Sequence, residues 1–190
     1  MMWLRKDYKE IRGTIPILLT APHVQPPRAE ILINYIVTRI ARISGAHALL
    51  GLVSRTKLDL NRAEAARSGF RKRIANIIES HEIRYLLDIH GCSFAEGRPE
   101  IDLGTARFLT AHKETAEQAR DLLKRDGFDV QLDHHFRGES SPGNIIRSYS
   151  VQAIQIEIHK DLRHASSPRL PQLIKSLAGL VSFLAARNSG

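Results

Sequence analysis

The chain has 190 residues, of which 43% are hydrophobic and 25% are charged, a length suited to one domain and a composition typical of a globular protein rather than a disordered one. Its 28 Lys and Arg exceed its 20 Asp and Glu, so the formal net charge is +8 and the surface attracts anions. The single cysteine, Cys92, excludes an internal disulfide, and no run approaches the roughly 18 apolar residues of a membrane helix. The first ten residues carry charges where a signal peptide is apolar, so we expect a cytoplasmic protein. From its length we expect a single domain over residues 1–190.

Apolar runs of strand length alternate along the chain with longer segments of helical period. The predicted strands cover residues 15–20, 46–53, 84–89, 106–109, 128–132 and 151–158. The predicted helices cover residues 28–44, 63–79 and 111–126, and a last helix begins at Ser167-Pro168, a favoured N-cap and first-turn pair. This alternation predicts an α/β domain with a mostly parallel sheet covered by helices on both faces.

Polar side chains capable of chemistry lie where several of these strands end. His23 follows the first strand, Asp88 and His90 close the third, and Glu157 lies near the end of the last. Because ligands of open α/β sheets bind at the carboxyl ends of the strands, we expect these groups to share one rim. Two histidines and a carboxylate can hold zinc, and a second carboxylate can act as a general base on water.

Each of these residues also has an ordinary structural interpretation. His23 can be a surface or capping residue, Glu157 can form a buried ion pair within its apolar strand, and segment 59–62 (Asp-Leu-Asn-Arg) can cap the following helix. His159 shares a strand face with Glu157 and is a weaker ligand candidate. We expect the pair His134-His135 to be exposed or to line a substrate site.

Taken in order, several segments resemble motifs of the N-formylglutamate amidohydrolase family. They are residues 18–23 (ending in Pro-His), 54–55 with 59–62 (Ser-Arg and Asp-Leu-Asn-Arg), 87–90 (Leu-Asp-Ile-His), 102–105 (ending in Gly-Thr) and 153–158 (containing Gln-Ile-Glu). The resemblance implies a three-layer α/β sandwich with a mostly parallel, mixed sheet, the zinc-carboxypeptidase-like (phosphorylase/hydrolase-like) fold shared with aspartoacylases and succinylglutamate desuccinylases. It also implies hydrolysis of the amide bond of an N-acylated acidic amino acid.

The resemblance further implies a divalent cation, which we expect to be Zn²⁺, bound by His23, His90 and an acidic residue. Many carboxypeptidase-like enzymes supply that acid from a His-x-x-Glu motif, but Pro26 stands at this spacing from His23. We therefore choose Glu30 as the candidate acidic ligand. Manganese, iron or cobalt suits the same ligands, so the metal itself stays open.

Catalysis and substrate binding are assigned to other residues of these motifs and to Arg147, which lies before the last strand. Glu157 is the candidate general base, and Asp88 can orient a ligating histidine. The carboxylate of a small anionic substrate calls for cationic and amide partners. The candidates for this contact are Arg62, Asn61, Arg55 and Arg147.

Other functions remain compatible with the sequence. The scaffold supports other zinc carboxypeptidases and amidases, and the missing His-x-x-Glu also fits a non-catalytic family member. A cysteine hydrolase using Cys92 is less favoured, because its position two residues after His90 does not by itself make a nucleophile–base pair. A nucleic-acid-binding protein using basic residues 67–73 is also less favoured, because no known binding motif is present and aromatic residues make up only 6%.

Overall fold

The structure is a computed structural model of the chain that describes residues 7–93, 95–138 and 143–187. Within these residues the chain forms one seven-stranded sheet and four α-helices. The strands are β1 (Tyr8–Ile11), β2 (Ile15–Ala21), β3 (Ala46–Gly51), β4 (Tyr85–Cys92), β5 (Ile101–Gly104), β6 (Val130–Leu132) and β7 (Gln152–His159). The helices are α1 (Ile33–Ser44), α2 (Gly69–Ser80), α3 (Lys113–Arg125) and α4 (Leu170–Ala186). In this described part of the chain, no helix has the length and apolar character needed to cross a membrane.

The strands lie in the order β1-β3-β2-β4-β7-β5-β6. Four pairs of neighbouring strands run parallel: β3 with β2, β2 with β4, β4 with β7, and β5 with β6. Two pairs are antiparallel, β1 with β3 and β5 with β7. The mostly parallel, mixed sheet predicted for this chain is therefore confirmed.

The two faces of the sheet bury different sets of side chains, because successive residues of a strand point to opposite faces. On one face, residues such as Leu19, Leu87 and Ile156 pack with helices α1, α3 and α4 in the larger hydrophobic core. On the other face, which we call the α2 face, Leu18 and Leu86 pack with apolar side chains of α2. Helices thus cover both faces, as expected for a three-layer sandwich.

The α2 face changes from apolar to polar along the central strands. Towards the carboxyl ends of β2, β4 and β7 the buried residues on this face are Thr20, Asp88, His90, Gln155 and Glu157. The strands β4 and β7 extend to Cys92 and His159, further than predicted. His90 and Glu157 therefore project from the face of the sheet rather than from loops beyond its rim.

Two predicted helices begin later than expected. Helix α1 starts at Ile33 rather than at residue 28, because Arg28 and Leu32 have positive φ values of 65° and 58°, which a right-handed helix cannot contain. The segment predicted as helix 63–79 divides into a short 3₁₀ turn and α2, whose N-cap Ser68 accepts a hydrogen bond from the backbone N–H of Arg71. Glu30 consequently lies in a loop and not at a helix start.

The predicted strand 106–109 is wrong. Ala106, Arg107 and Phe108 have positive φ values of 49°, 56° and 65° and form a turn. The Asp133 carboxylate stabilises this turn by accepting hydrogen bonds from the backbone N–H groups of Thr105 and Arg107. The strand lies just before it, as β5. Ser167-Pro168 likewise precedes α4 instead of opening it, since α4 begins at Leu170.

Candidate metal and active site

The polar part of the α2 face borders a cavity of about 410 Å³. Most of the predicted site residues line it: His23, Glu30, Arg55, Asn61, Arg62, His90 and Glu157. These residues come from loops and strands that are distant in sequence, so the sheet order is what collects them. The cavity has the size of a small-molecule site.

Glu30 joins the two histidines. Its Oε1 lies 2.9 Å from Nδ1 of His23 and 3.5 Å from Nδ1 of His90. One possible ligand atom from each of the three residues lies within 4.8 Å of the others. The loop after β2 makes this possible by folding back, because the backbone N–H of Glu30 donates to the carbonyl of His23 at 2.8 Å. This closed loop places a carboxylate beside His23 without a His-x-x-Glu motif.

Each histidine directs its other ring nitrogen towards a carboxylate. Nε2 of His23 lies 2.7 Å from Oδ1 of Asp59, and Nε2 of His90 lies 2.8 Å from Oδ2 of Asp88. Asp88 also accepts a hydrogen bond from the hydroxyl of Thr20 at 2.6 Å. Carboxylates in this position fix the imidazole tautomer whose opposite nitrogen can bind a metal. Sequence reasoning anticipated this position for Asp88 but not for Asp59.

The electrostatics of this cluster favour a cation. Burial lowers the pKa of His90, but the negative charges of Asp88 and Glu30 outweigh burial and raise that pKa well above its usual value. Burial raises the pKa of Glu30, but His90 and His23 outweigh it, and the pKa is lowered. Two imidazole nitrogens and a carboxylate oxygen are a usual ligand set of zinc. The residues present therefore fit a divalent cation.

Glu157 is a second buried carboxylate in the cavity and lies beside His90, its register partner on the neighbouring strand. Its Oε1 accepts a hydrogen bond from Nε2 of Gln155 at 2.8 Å, and Gln155 is held in turn by Nδ2 of Asn144 at 3.0 Å. This partner is an amide and not a cation, which speaks against the buried ion pair considered above. Burial raises the pKa of Glu157, and His90 opposes the rise only in part. Such a carboxyl group is suited to exchanging protons.

Two of the predicted substrate contacts surround Asp59. Nη2 of Arg55 donates to Oδ2 of Asp59 at 3.1 Å, and Nε of Arg62 lies 3.7 Å from the same oxygen. Their side chains are 33% and 42% exposed, so both cations also face solvent in the cavity. Asp59 caps no helix, because the N-cap of the next 3₁₀ turn is Arg62 and that of α2 is Ser68.

The side chain of Asn61 is already engaged in contacts within the protein. It is buried, and its Oδ1 accepts a hydrogen bond from the backbone N–H of Ile145 at 2.8 Å. Its Nδ2 lies 3.3 Å from Nε2 of His90. The amide thus connects the loop after β3 to the turn before β7 while it lines the cavity.

Arg147 is not brought to this cavity. The 3₁₀ turn Ile145–Arg147 buries Ile145 and Ile146 in the core of the α2 face, which leaves Arg147 exposed on the opposite side. Arg147 instead lines a separate cavity of about 440 Å³ with Phe108 and Tyr149. The sequence shows a basic residue near the late strand but not the direction in which the turn points it.

The other histidines and the cysteine also lie outside the metal cluster. His134 and His135 are exposed, and Nδ1 of His159 accepts a hydrogen bond from the backbone N–H of Asp161 at the start of a 3₁₀ turn. Burial raises the pKa of Cys92 to about 11, which disfavours the thiolate needed by a nucleophilic cysteine.

Arg163 stabilises the backbone segments that carry the site residues. It was not identified from the sequence. The side chain is buried, and its guanidinium donates to the carbonyls of Ile31, Cys92 and Ile158 at 2.7, 2.8 and 2.9 Å. These carbonyls lie within two residues of Glu30, His90 and Glu157, so one side chain ties together the three segments that carry them. A Cβ at Gly91 would lie 2.2 Å from the guanidinium carbon, which explains the glycine after His90.

Comparison with solved structures supports the same fold. An N-formylglutamate amidohydrolase from Ralstonia eutropha JMP134 is 13% identical with a TM-score of 0.69, over 95% of this chain and 97% of that one. A bacteriophage poly-gamma-glutamate hydrolase is 13% identical with a TM-score of 0.60, over 96% and 89%. A putative carboxypeptidase from Burkholderia mallei ATCC 23344 is 17% identical with a TM-score of 0.56, over 87% and 55%. The zinc-carboxypeptidase-like fold is confirmed.

Comparison with known sequences identifies the family. No curated protein matches the chain. The family model described as N-formylglutamate amidohydrolase matches residues 68–163, half of the chain, a stretch that includes His90 and Glu157. The family is one of hydrolases that act on amides. The chain therefore belongs to the N-formylglutamate amidohydrolase family.

Proposed function

We propose that the chain is a zinc-dependent amidohydrolase that cleaves the amide bond of an N-acylated acidic amino acid. The observation that carries this proposal is the convergence of Nδ1 of His23, Nδ1 of His90 and Oε1 of Glu30. A carboxylate backs each imidazole on its other nitrogen. Glu157 faces the same cavity without being part of the cluster, which leaves it available for proton transfer.

His23, Glu30 and His90 would hold the metal. Zinc held by these residues would supply Lewis-acid chemistry, namely polarisation of the scissile carbonyl and a lower pKa of water. Glu157 accepts a proton from the attacking water and delivers it to the departing nitrogen, and its raised pKa makes the carboxylate a stronger base towards that water. Asp59 and Asp88 hold the histidine rings in orientation throughout.

Arg55 and Arg62 would bind the substrate carboxylate. Both are partly exposed in the cavity, and their contacts with Asp59 fix the guanidinium groups before a substrate arrives. Two of the similar structures are named for N-formylglutamate and poly-gamma-glutamate, both derivatives of glutamate. These names support an acidic substrate for this chain as well.

Variants at Glu157 and His90 test the proposal. Purified protein should hold about one zinc ion per chain by elemental analysis. Glu157→Gln should keep the zinc but lower kcat for N-formylglutamate by roughly 10²–10⁴-fold, the usual contribution of a general base. His90→Ala should lose the zinc, whereas Glu79→Gln, which alters an exposed carboxylate on α2, should keep both zinc and activity.

A panel of N-acyl amino acids and short peptides defines the substrate in the same experiment. Hydrolysis of peptides in preference to N-acylated acidic amino acids would replace the proposal with a carboxypeptidase activity. Full activity of Glu157→Gln would remove Glu157 as the base. Zinc binding without turnover of any compound would indicate a family member that has lost catalysis.

A further inference from the structure

Arg98 adds a third arginine to the active-site cavity, and the function proposed above does not use it. The residue lies in the connection from β4 to β5 and lines the cavity next to Ser93, Phe136 and Gly138. Its guanidinium carbon lies 5.2 Å from the centre of the Phe136 ring. Arginine side chains that stack on aromatic rings in this way keep their planar edge available for anions.

The sheet order places Arg98 on the far side of the metal cluster from Arg55 and Arg62. The pair Arg55 and Arg62 follows β3, whereas His23 follows β2, and His90 and Glu157 belong to β4 and β7. Beyond β7 comes β5, to which the segment carrying Phe136 is attached. In the order β3-β2-β4-β7-β5, cations therefore flank the metal and the base on both sides.

The backbone of residues 134–136, which carries the Phe136 ring beneath Arg98, is held by hydrogen bonds. Asp102 of β5 is buried, and its carboxylate accepts hydrogen bonds from three consecutive backbone N–H groups. These belong to His134 at 3.2 Å, His135 at 2.7 Å and Phe136 at 3.0 Å. Because the backbone at Phe136 is fixed, the guanidinium that stacks on its ring is positioned before a ligand binds.

The hydrogen bonds of Arg98 leave one edge of its guanidinium for a ligand. Nη1 donates to the carbonyl and to the hydroxyl of Ser93 at 3.0 and 3.3 Å. Nε is buried and has no hydrogen-bond partner among residues 7–93, 95–138 and 143–187. Nε and Nη2 together form an edge that matches the two oxygens of a carboxylate. An unpaired buried donor is costly, so an anion that accepts from Nε is favoured there.

We infer that Arg98 binds a second carboxylate, which the acyl group of the substrate carries. The substrate class is then an acidic amino acid whose nitrogen is acylated by a dicarboxylic acid, such as a succinyl or glutaryl group. This inference rests on the proposed function, because it places the scissile amide between Arg98 and the pair Arg55 and Arg62. Hydrolysis breaks the amide C–N bond, adds hydroxyl from water to the acyl carbon and a proton to nitrogen, and releases a dicarboxylate and the amino acid.

Ligand binding to an inactive variant tests this inference without requiring turnover. The protein is Glu157→Gln in zinc-containing buffer, and calorimetry compares N-succinylglutamate with the analogue whose acyl carboxylate is replaced by a primary amide. We expect the charged ligand to bind at least about tenfold more tightly, as is usual for a charge-assisted bidentate contact. Adding Arg98→Met should bring the ratio of the two affinities close to one.

Two further variants control the experiment. Arg98→Lys keeps the charge but loses the two parallel N–H donors of the guanidinium, so we expect an intermediate ratio of the two affinities. Arg67→Met removes the same charge from an exposed position outside the cavity and should leave the ratio unchanged. If Arg98→Met does not fold by circular dichroism, the ratio in Arg98→Lys decides the question.

The outcomes separate this inference from the proposed function. Equal affinities for the two ligands when Arg98 is present would overturn the inference, as would an unchanged ratio in Arg98→Met or, if that variant does not fold, in Arg98→Lys. The proposed function is judged independently from turnover of formyl- and succinylglutamate by the unmodified protein. Failure of turnover with a preserved, Arg98-dependent affinity ratio would remove the hydrolase and keep the binding site.

Discussion

Asp59 shows how one side chain serves two parts of the site. Its Oδ1 lies 2.7 Å from His23 Nε2 and accepts from the backbone N–H of Asn61 at 3.0 Å, while its Oδ2 contacts Arg55 and Arg62. Burial raises the pKa of Asp59, but His23 and these neighbours outweigh burial and the pKa is lowered. The carboxylate thus remains charged and connects the metal cluster to the cations that would bind the substrate.

Asp59→Asn should weaken zinc binding. The amide keeps the shape of the carboxylate but removes the charge that holds His23 in the tautomer suited to metal binding. Loss of such a partner typically costs about 10–100-fold in metal affinity. Competition with a zinc chelator measures the change, and Asp121→Asn, at an exposed position on α3, is the matched control. An affinity equal to that of the control would show that Asp59 does not support His23.

Among the elements, the edge strand β1 is joined to helix α2 by an ion pair. Beyond its pairing with β3, Glu10 of β1 accepts two hydrogen bonds from Arg73 of α2, from Nε and Nη2, both at 2.8 Å. The side chains of Glu10 and Arg73 are 17% and 24% exposed. This contact holds β1 to α2, the helix that also borders the cavity-bearing face of the sheet.

The contribution of this pair should depend on pH. Hydrogen bonds from Arg73 lower the pKa of Glu10 from its ordinary value of 4.5. Because the folded protein then binds the proton less readily than the unfolded chain, the stabilisation is present above pH 4.5 and disappears as the pH falls through the lowered pKa. Glu10→Gln should lower the free energy of unfolding by about 0.5–1 kcal/mol at pH 7.

Urea denaturation at several pH values measures this difference. The difference in unfolding free energy between Glu10→Gln and the unchanged protein should disappear in acid. Glu79→Gln, which alters an exposed carboxylate on α2, should match the unchanged protein at every pH. A gap of constant size from neutral pH into acid would mean that packing, rather than the charge of Glu10, produces the effect.

At the scale of the whole molecule, the metal cluster connects parts of the sheet that are far apart along the chain. His23 and Glu30 lie in the loop between β2 and α1, and His90 belongs to β4. Arg163 reinforces the same junction from the other side by binding the carbonyls of Ile31, Cys92 and Ile158. A ligand that binds only the folded arrangement stabilises the whole fold by mass action.

Zinc removal should therefore lower thermal stability. At a free zinc concentration 100 times the Kd, the expected stabilisation is about 2.7 kcal/mol, which corresponds to roughly 5–10 °C in Tm for a chain of this size. Differential scanning calorimetry with zinc and with a chelator measures the shift. His90→Ala should show almost no zinc-dependent shift, and an equal shift in that variant would place the stabilising metal elsewhere.

The sequence by itself indicated the fold class, most of the central strands and helices, and most of the residues that line the candidate site. The period of its apolar residues predicted the α/β sandwich, and the motifs around His23, His90 and Glu157 predicted which residues meet. These signals are local, because strand and helix periods and short motifs are written over neighbouring positions. The turn at residues 106–108 could not be predicted in this way, because it is stabilised by hydrogen bonds to Asp133, which is distant in sequence.

Only the tertiary structure decided how these residues are supported and which cations face the cavity. Asp59 reaches His23 across 36 positions, and Arg163 reaches Ile31 across 132. Arg98 enters the cavity and Arg147 does not, although both are arginines near predicted strands. The physical reason is that a side chain's direction depends on the packing of its whole segment against distant parts of the sheet.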